Sequence, residues 1–216
     1  MRSRESKNRA RYDRLAAFYE WFARSGSLGQ FPRFYRAVAD AIEADPGALL
    51  LDMGCGPGTL TPYLLHKVGP RGAILGTDVS DEMIARARAL SEECGWLNVR
   101  FQRSDARDVA PDQPAGIIVF CLSLTTMPEA GRCFARALSW LKPGGQLVVL
   151  DSFLQPERRL AGLAIRMKSP LVGADSSAIS LVELTSHLEA VRVRHFHRGV
   201  YTLVSGRRPS PTTAAA

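Results

Sequence analysis

Apolar positions follow two different rhythms along this chain. Leu15, Phe18, Tyr19 and Phe22 recur at i, i+3, i+4 and i+7, one stripe of a helix, and the GSLG at 26–29 ends it. A second helical stretch is predicted over 32–43, with Phe34, Val38, Ala41 and Ile42 on one side. From Ala48 onward the rhythm changes. Short apolar runs (ALLLDM, AILGTDV, LNVRFQ, GIIVFCL, GQLVVLD) alternate with helical patterns at 63–67, 82–93 and 130–141. Alternation of this kind builds βαβ units, and therefore an α/β fold with a mostly parallel sheet and helices on both faces. Lys142-Pro143-Gly144-Gly145 predicts a helix stop and a tight turn before the fifth strand.

The last third is less regular. A helix is predicted over 156–168, with Leu160, Leu163, Ala164 and Met167 facing inward and Arg158, Arg159, Arg166 and Lys168 outward. A loop over 170–177 and a helix over 179–188 follow, and VRVRHFHRGVYTLVSGRR reads as two strands joined tightly at Arg198-Gly199. The expected organisation is an N-terminal helical segment over 1–45, part of the same domain, a main domain over 46–208, and a tail over 209–216 too poor in apolar residues to fold.

Composition narrows the picture. A chain of 216 residues with 46% hydrophobic content can bury one core. No apolar run approaches the roughly 20 residues that cross a bilayer, and the charged start has no apolar signal region behind it, so a cytoplasmic protein is expected. Cys55, Cys94, Cys121 and Cys133 show no metal-ligand spacing and read as reduced thiols; no metal is expected. The net charge of +7 is unevenly spread. Residues 1–36 carry nine Lys/Arg against three Asp/Glu and residues 154–216 nine against four, whereas the middle is net acidic. Basic flanks of this kind suit an anionic partner: a phosphate, a carboxylate or a membrane surface.

The strongest motif is Leu49-Leu50-Leu51-Asp52-Met53-Gly54-Cys55-Gly56-Pro57-Gly58-Thr59, a buried strand, an acid at its end and three glycines entering a helix. Glycines let the backbone approach a ligand and accept the turn's dihedrals. The nearest rival is the dinucleotide fingerprint GxGxxG, which would make the chain an NAD(P)-dependent oxidoreductase. Here the spacing is GxGxG, and Thr59 stands where that fingerprint wants Gly or Ala. Asp52 would also repel a pyrophosphate but could serve an amino group. Asp78 ends the second strand, placed for ribose hydroxyls, and Asp105 follows the third, able to accept from an adenine amino group.

These residues, with Tyr12-Asp13, Ser104-Asp105-Ala106 and Leu141-Lys142-Pro143-Gly144-Gly145, resemble the class I S-adenosylmethionine (SAM)-dependent methyltransferases, in particular the ubiquinone and menaquinone biosynthesis methyltransferase-like group. The resemblance runs from about Tyr12 to Arg208. It implies a Rossmann-like seven-stranded sheet with its last strand antiparallel, and an N-terminal helical lid carrying Tyr12 and Tyr19 over the cofactor. It further implies that the turn Asp52, Met53, Gly54, Cys55 and Gly56 lies along the methionine moiety and that Asp78 grips the ribose. Val79 and Met83 would flank the adenine, Asp105 and Ala106 would meet its edge, and Cys121 and Leu122 would line the methionine amino group. The C-terminal blocks of the quinone enzymes are not seen, so no quinone substrate is carried over.

Methyl transfer asks mainly for a nucleophile held close to the methyl group and for exclusion of water. His195 and His197, two apart on a predicted strand and so expected to share one face near its C-terminal end, are the leading base candidates, with Tyr19 on the lid. The substrate expected is a small-molecule or lipid-like acceptor, with peripheral membrane contact through the basic flanks. An RNA-modifying or nucleic-acid-binding protein is the alternative prompted by a pI near 9.6. Against it, Ser123-Leu124-Thr125-Thr126-Met127-Pro128 stands where base-amine methylases carry Asn/Asp-Pro-Pro-aromatic. A SAM-binding protein without catalysis is a further alternative.

Overall fold

The structure is a computed structural model that describes residues 31–155 and 158–210. The first helical stripe, Tyr12, Tyr19 and most of the expected lid lie outside the described residues, as does most of the predicted tail.

Seven strands make one sheet: β1 (Leu49–Met53), β2 (Ala73–Asp78), β3 (Val99–Arg103), β4 (Ala115–Cys121), β5 (Leu141–Asp151), β6 (Glu189–Phe196) and β7 (Tyr201–Arg207). Their spatial order is β3-β2-β1-β4-β5-β7-β6. β7 runs antiparallel to both of its neighbours, and the other pairings are parallel. The helices are α1 (Phe31–Ala41), α2 (Thr61–Val68), α3 (Asp81–Cys94), α4 (Ala130–Trp140), α5 (Arg159–Val172) and α6 (Leu181–Ser186).

Successive strand residues face opposite ways, and that alternation divides the core in two. Leu51, Met53, Ile118, Phe120, Leu147, Val149 and Val204 bury against Phe134 and Ala137 of α4 and Leu184 of α6. Leu50, Ile74, Ile117, Val119, Val148 and Leu203 face the other way, against α1 and α2 through Phe34, Val38, Leu64 and Val68. Each fully buried side chain of this size contributes about 1.5–3 kcal/mol, so every strand is committed to its register on both faces. Local signals set the helix ends. Ser80 caps α3 by accepting the Met83 N–H at 3.3 Å, and Gly95 closes it in the left-handed conformation.

Three expectations change. Lys142–Gly145 is not a turn before β5 but part of the strand: Leu141 already pairs with Ala115, and the extra residues before Gln146 form a bulge opposite Gly116. α5 is rotated from the predicted orientation. Ala161, Ile165 and Ser169 are buried, while Leu160, Leu163, Ala164 and Met167 face solvent, and the helix continues through 170–172, where a loop was expected. Two contacts near its ends accompany that rotation: Arg158 lies close to Gly199, and the Ser169 and Ser176 hydroxyls share a 2.9 Å hydrogen bond. Finally, β6 ends at Phe196. His197, Arg198 and Gly199 all take positive φ (49°, 58° and 100°) and form the tight turn, so His195 and His197 do not share a strand face.

Candidate active site

Parallel pairing brings the C-terminal ends of β3, β2, β1 and β4 to one edge, and each end carries part of the site. Asp52, on β1, pairs in register with Gly76 on one side and Val119 on the other. Its side chain is 1% exposed and its Oδ2 has no hydrogen-bond partner. Burial first, and then the negative charge of Asp78, push the Asp52 carboxyl up to about 7. An unpartnered buried carboxylate is costly and calls for an explanation. An ammonium group, such as that of a bound amino acid moiety, supplies one.

The glycine turn that follows is held from two sides. The Gly54 and Cys55 N–H groups donate to the Thr77 carbonyl at 2.8 and 2.9 Å. Asp78 at the end of β2 accepts the Gly56 N–H on Oδ2 at 3.0 Å and the Ser80 N–H on Oδ1 at 2.9 Å. Burial raises the Asp78 carboxyl, and these backbone bonds draw it back toward its ordinary range.

Gly54 and Gly56 do different jobs. Both have positive φ, 75° and 54°. A Cβ at Gly54 would lie 2.6 Å from the Ser123 Cβ, so this glycine lets the turn after β4 approach, and there the Ser123 hydroxyl donates to the Met53 carbonyl at 2.6 Å. A Cβ at Gly56 would meet nothing within 4 Å, which leaves backbone facing open space. The side chains of Met53 and Cys55 point into the core. Met53 Sδ accepts the Thr77 hydroxyl at 3.7 Å, and Cys55 packs beside Phe101. Of these two residues only the backbone can meet a ligand.

The residues expected to meet adenine include an acid already engaged by an arginine. Val79 is 37% exposed and Met83 is half-buried at the start of α3. Asp105 grips Arg107, which donates from Nε to Oδ1 at 2.9 Å and from Nη2 to Oδ2 at 2.7 Å; Oδ1 also accepts the Arg107 N–H at 2.9 Å. The guanidinium holds this carboxyl below its ordinary range. Of about four acceptor positions on a carboxylate, that leaves one for an outside donor. Arg107 continues to Glu129 at 3.0 Å, and Ala106 packs against the core. On the other side, burial and the charges of Asp52 and Asp151 push the Cys121 thiol well up. Leu122 sits at φ 58°, a conformation that a non-glycine residue seldom takes.

Two sets of residues at this edge escaped sequence reasoning. Tyr35 of α1 hydrogen-bonds the Thr59 hydroxyl at 3.0 Å, and Asp52 and Cys121 are near enough for their charges to raise its phenol further after burial has done so. Its only sequence signal is an aromatic one step off the apolar stripe of α1. Asp151, buried at the end of β5, accepts the Thr125 N–H at 2.9 Å and the Thr125 hydroxyl at 2.6 Å, which ties down the turn after β4. The two histidines lie at the same edge of the sheet, in the β6–β7 hairpin beyond the end of β5. His195 Nδ1 is 3.1 Å from the Thr202 hydroxyl, and His197 packs edge-on against Phe34 and Tyr201. Among the described residues no group of three or more His, Cys, Asp or Glu could hold a metal ion.

A sheet in this order, with its single reversed strand and an acid before a GxGxG turn, defines the Rossmann-like fold and cofactor edge of class I methyltransferases. The residues fit S-adenosylmethionine: Asp52 has the free acceptor for the amino group, Gly56 an open backbone, and Asp78 a carboxylate at the ribose position. Residues 50–145 match the family described as methyltransferase domain. The chain thus carries a methyltransferase domain in the class I SAM-dependent methyltransferase fold, for which S-adenosylmethionine is the cofactor.

The chain is 31% identical over 156 residues to trans-aconitate 2-methyltransferase from Shigella flexneri serotype 5b (strain 8401), covering 68% of this chain and 60% of that one. It is 30% identical over 151 residues to nocamycin O-methyltransferase from Saccharothrix syringae, covering 68% and 52%. It thus spans little more than half the length of these relatives. A SAM-dependent methyltransferase from Aquifex aeolicus superposes with a TM-score of 0.61 at 21% identity, covering 89% of this chain and 98% of that one.

Proposed function

We propose that this protein transfers the methyl group of S-adenosylmethionine to a small organic acceptor, with an oxygen nucleophile as the first expectation, and that it does so in the cytoplasm. The observation that carries the reading is the free, buried Oδ2 of Asp52 followed four residues on by the open backbone of Gly56. The names of the two relatives, one for trans-aconitate and one an O-methyltransferase, favour a small molecule and, for the second, oxygen. The basic flanks favour an acceptor that carries negative charge.

S-adenosylmethionine supplies an electrophilic sulfonium methyl. The chain's own work is then positional. Asp52 orients the amino group, Asp78 fixes the turn and the ribose, Asp105 offers its remaining acceptor position to the adenine edge, and Asp151 holds the turn after β4 through Thr125. A carboxylate acceptor arrives already deprotonated, so no general base is needed. We therefore assign none to His195 or His197. The test is an incubation with S-adenosylmethionine and a panel of carboxylic acids, phenols and amines, with methylated product read by mass spectrometry. Product confined to amines would overturn the oxygen assignment. Absence of product across the panel, with S-adenosylhomocysteine still bound, would favour a SAM-binding protein without catalysis.

A further inference from the structure

The solvent side of α5 is apolar. Leu160, Leu163 and Met167, at i, i+3 and i+7, are 81%, 59% and 71% exposed, with Ala164 exposed beside them. The opposite row, Ala161, Ile165 and Ser169, is 5%, 1% and 6% exposed and already packed. Single exposed leucines are ordinary, but three long apolar side chains on one stripe of one helix mark a surface that meets something. Residues 158–168 contain Arg158, Arg159, Arg166 and Lys168 and no Asp or Glu. Arg166 is exposed and immediately precedes Met167 on the stripe. An apolar stripe on a helix rich in basic residues is the composition of helices that lie in the plane of a membrane interface.

The chain's own N-terminal stripe is the rival occupant, since Leu15, Phe18, Tyr19 and Phe22 also need cover. Charge argues against it. Residues 1–36 carry nine Lys/Arg against three Asp/Glu, the same sign as α5, and like charges brought together oppose docking. An anionic lipid surface attracts both. α5 also starts at the ligand edge of the sheet: Arg158 lies against Gly199, in the turn that leads into β7 beside the C-terminal end of β5.

We propose that the Leu160–Leu163–Met167 face of α5 docks on an anionic bilayer. The surface does not depend on what the site methylates, and its test reads no methyl transfer. The 216-residue chain is floated with phosphatidylcholine vesicles and with vesicles containing phosphatidylglycerol. Partition onto the anionic vesicles should exceed that onto neutral ones at least about tenfold at low salt, and should fall as salt is raised. Leu163→Ser/Met167→Ser and Arg166→Glu should each lower it severalfold while S-adenosylhomocysteine affinity, the control for folding, stays unchanged. Failure to bind anionic vesicles at low salt would overturn the proposal. So would binding that the serine variant leaves intact, which would assign the attraction to the basic flanks alone. A dimer of the parent chain that the serine variant dissociates would assign the face to a second copy instead.

Discussion

The carboxylate of Asp78 reaches across from the end of β2 to accept the N–H of Gly56, 3.0 Å away, so the side chain proposed for the ribose also shapes the glycine turn. Asp78→Ala therefore removes two things at once. Losing a charge-assisted bond at a buried site costs on the order of 1–3 kcal/mol. S-adenosylhomocysteine affinity measured by calorimetry should fall roughly ten- to hundredfold. Unchanged affinity would remove Asp78 from the cofactor site.

Asp52 links pH to both stability and binding. Its folded carboxyl is raised from the ordinary 3.8 to about 7. A group raised on folding leaves the apo protein most stable below the unfolded value and progressively less stable as pH climbs toward the folded one. Thermal scans of the apo protein should show Asp52→Asn gaining melting temperature relative to the parent near pH 8, with the gain shrinking toward pH 5. Binding runs the other way, because a cofactor ammonium prefers the ionised acid. Affinity of the parent for S-adenosylhomocysteine should rise between about pH 6 and 8, with proton release visible as a buffer-dependent heat, and both effects should vanish in the variant.

The parts of this site that were legible in the sequence are those where backbone geometry dictates residue type. Asp52 at a strand end, glycines at left-handed positions and acids after β2 and β3 all declare themselves through spacing. What the sequence did not expose depends on neighbours distant in the chain. The observed phase of α5 goes with contacts to Gly199 and Ser176, which no pattern within 156–168 contains. Asp105 reads as a free acceptor until Arg107 folds back onto it. Tyr35 joins the site only because α1 packs beside α2 and brings it to Thr59.

Leu122 holds a left-handed backbone at the end of β4 while its N–H donates to the Leu150 carbonyl at 2.7 Å. That conformation costs a leucine about 1–2 kcal/mol, which glycine avoids while losing roughly 0.5–1 kcal/mol to chain entropy. Leu122→Gly should consequently leave stability within about 1 kcal/mol of the parent in urea unfolding, whereas Leu122→Ile, whose β-branching resists positive φ, should lose more than about 1 kcal/mol. Equal losses in both would mean that the side chain's packing, not its backbone, decides the position.

His195 and His197 provide a test of whether any base is used. A true general base contributes about 10²–10⁴ to the rate. With a carboxylate acceptor, His195→Gln and His197→Gln should each change kcat by less than about threefold, well below that range. A fall of a hundredfold in either, with KM and cofactor affinity preserved, would restore a histidine to the chemistry and shift the acceptor toward a group that must lose a proton.

Gly54 and Gly56 share the left-handed conformation but not the surroundings, and that contrast separates folding from binding. Alanine at Gly54 would place its Cβ 2.6 Å from the Ser123 Cβ and 3.1 Å from Met127, forcing apart the turns after β1 and β4. Ser123 is pinned there by its bond to the Met53 carbonyl and cannot give way without breaking it. Overpacking of this kind typically costs about 1–3 kcal/mol, on top of the backbone strain of about 1–2 kcal/mol for a Cβ in the left-handed region. Gly56→Ala meets no atom and bears the strain alone. Urea unfolding should thus rank Gly54→Ala well below Gly56→Ala in stability, while calorimetry should show Gly56→Ala, still folded, losing most of its S-adenosylhomocysteine affinity because the new methyl occupies the face the cofactor needs. Retained affinity in Gly56→Ala would place the cofactor on another face of the turn.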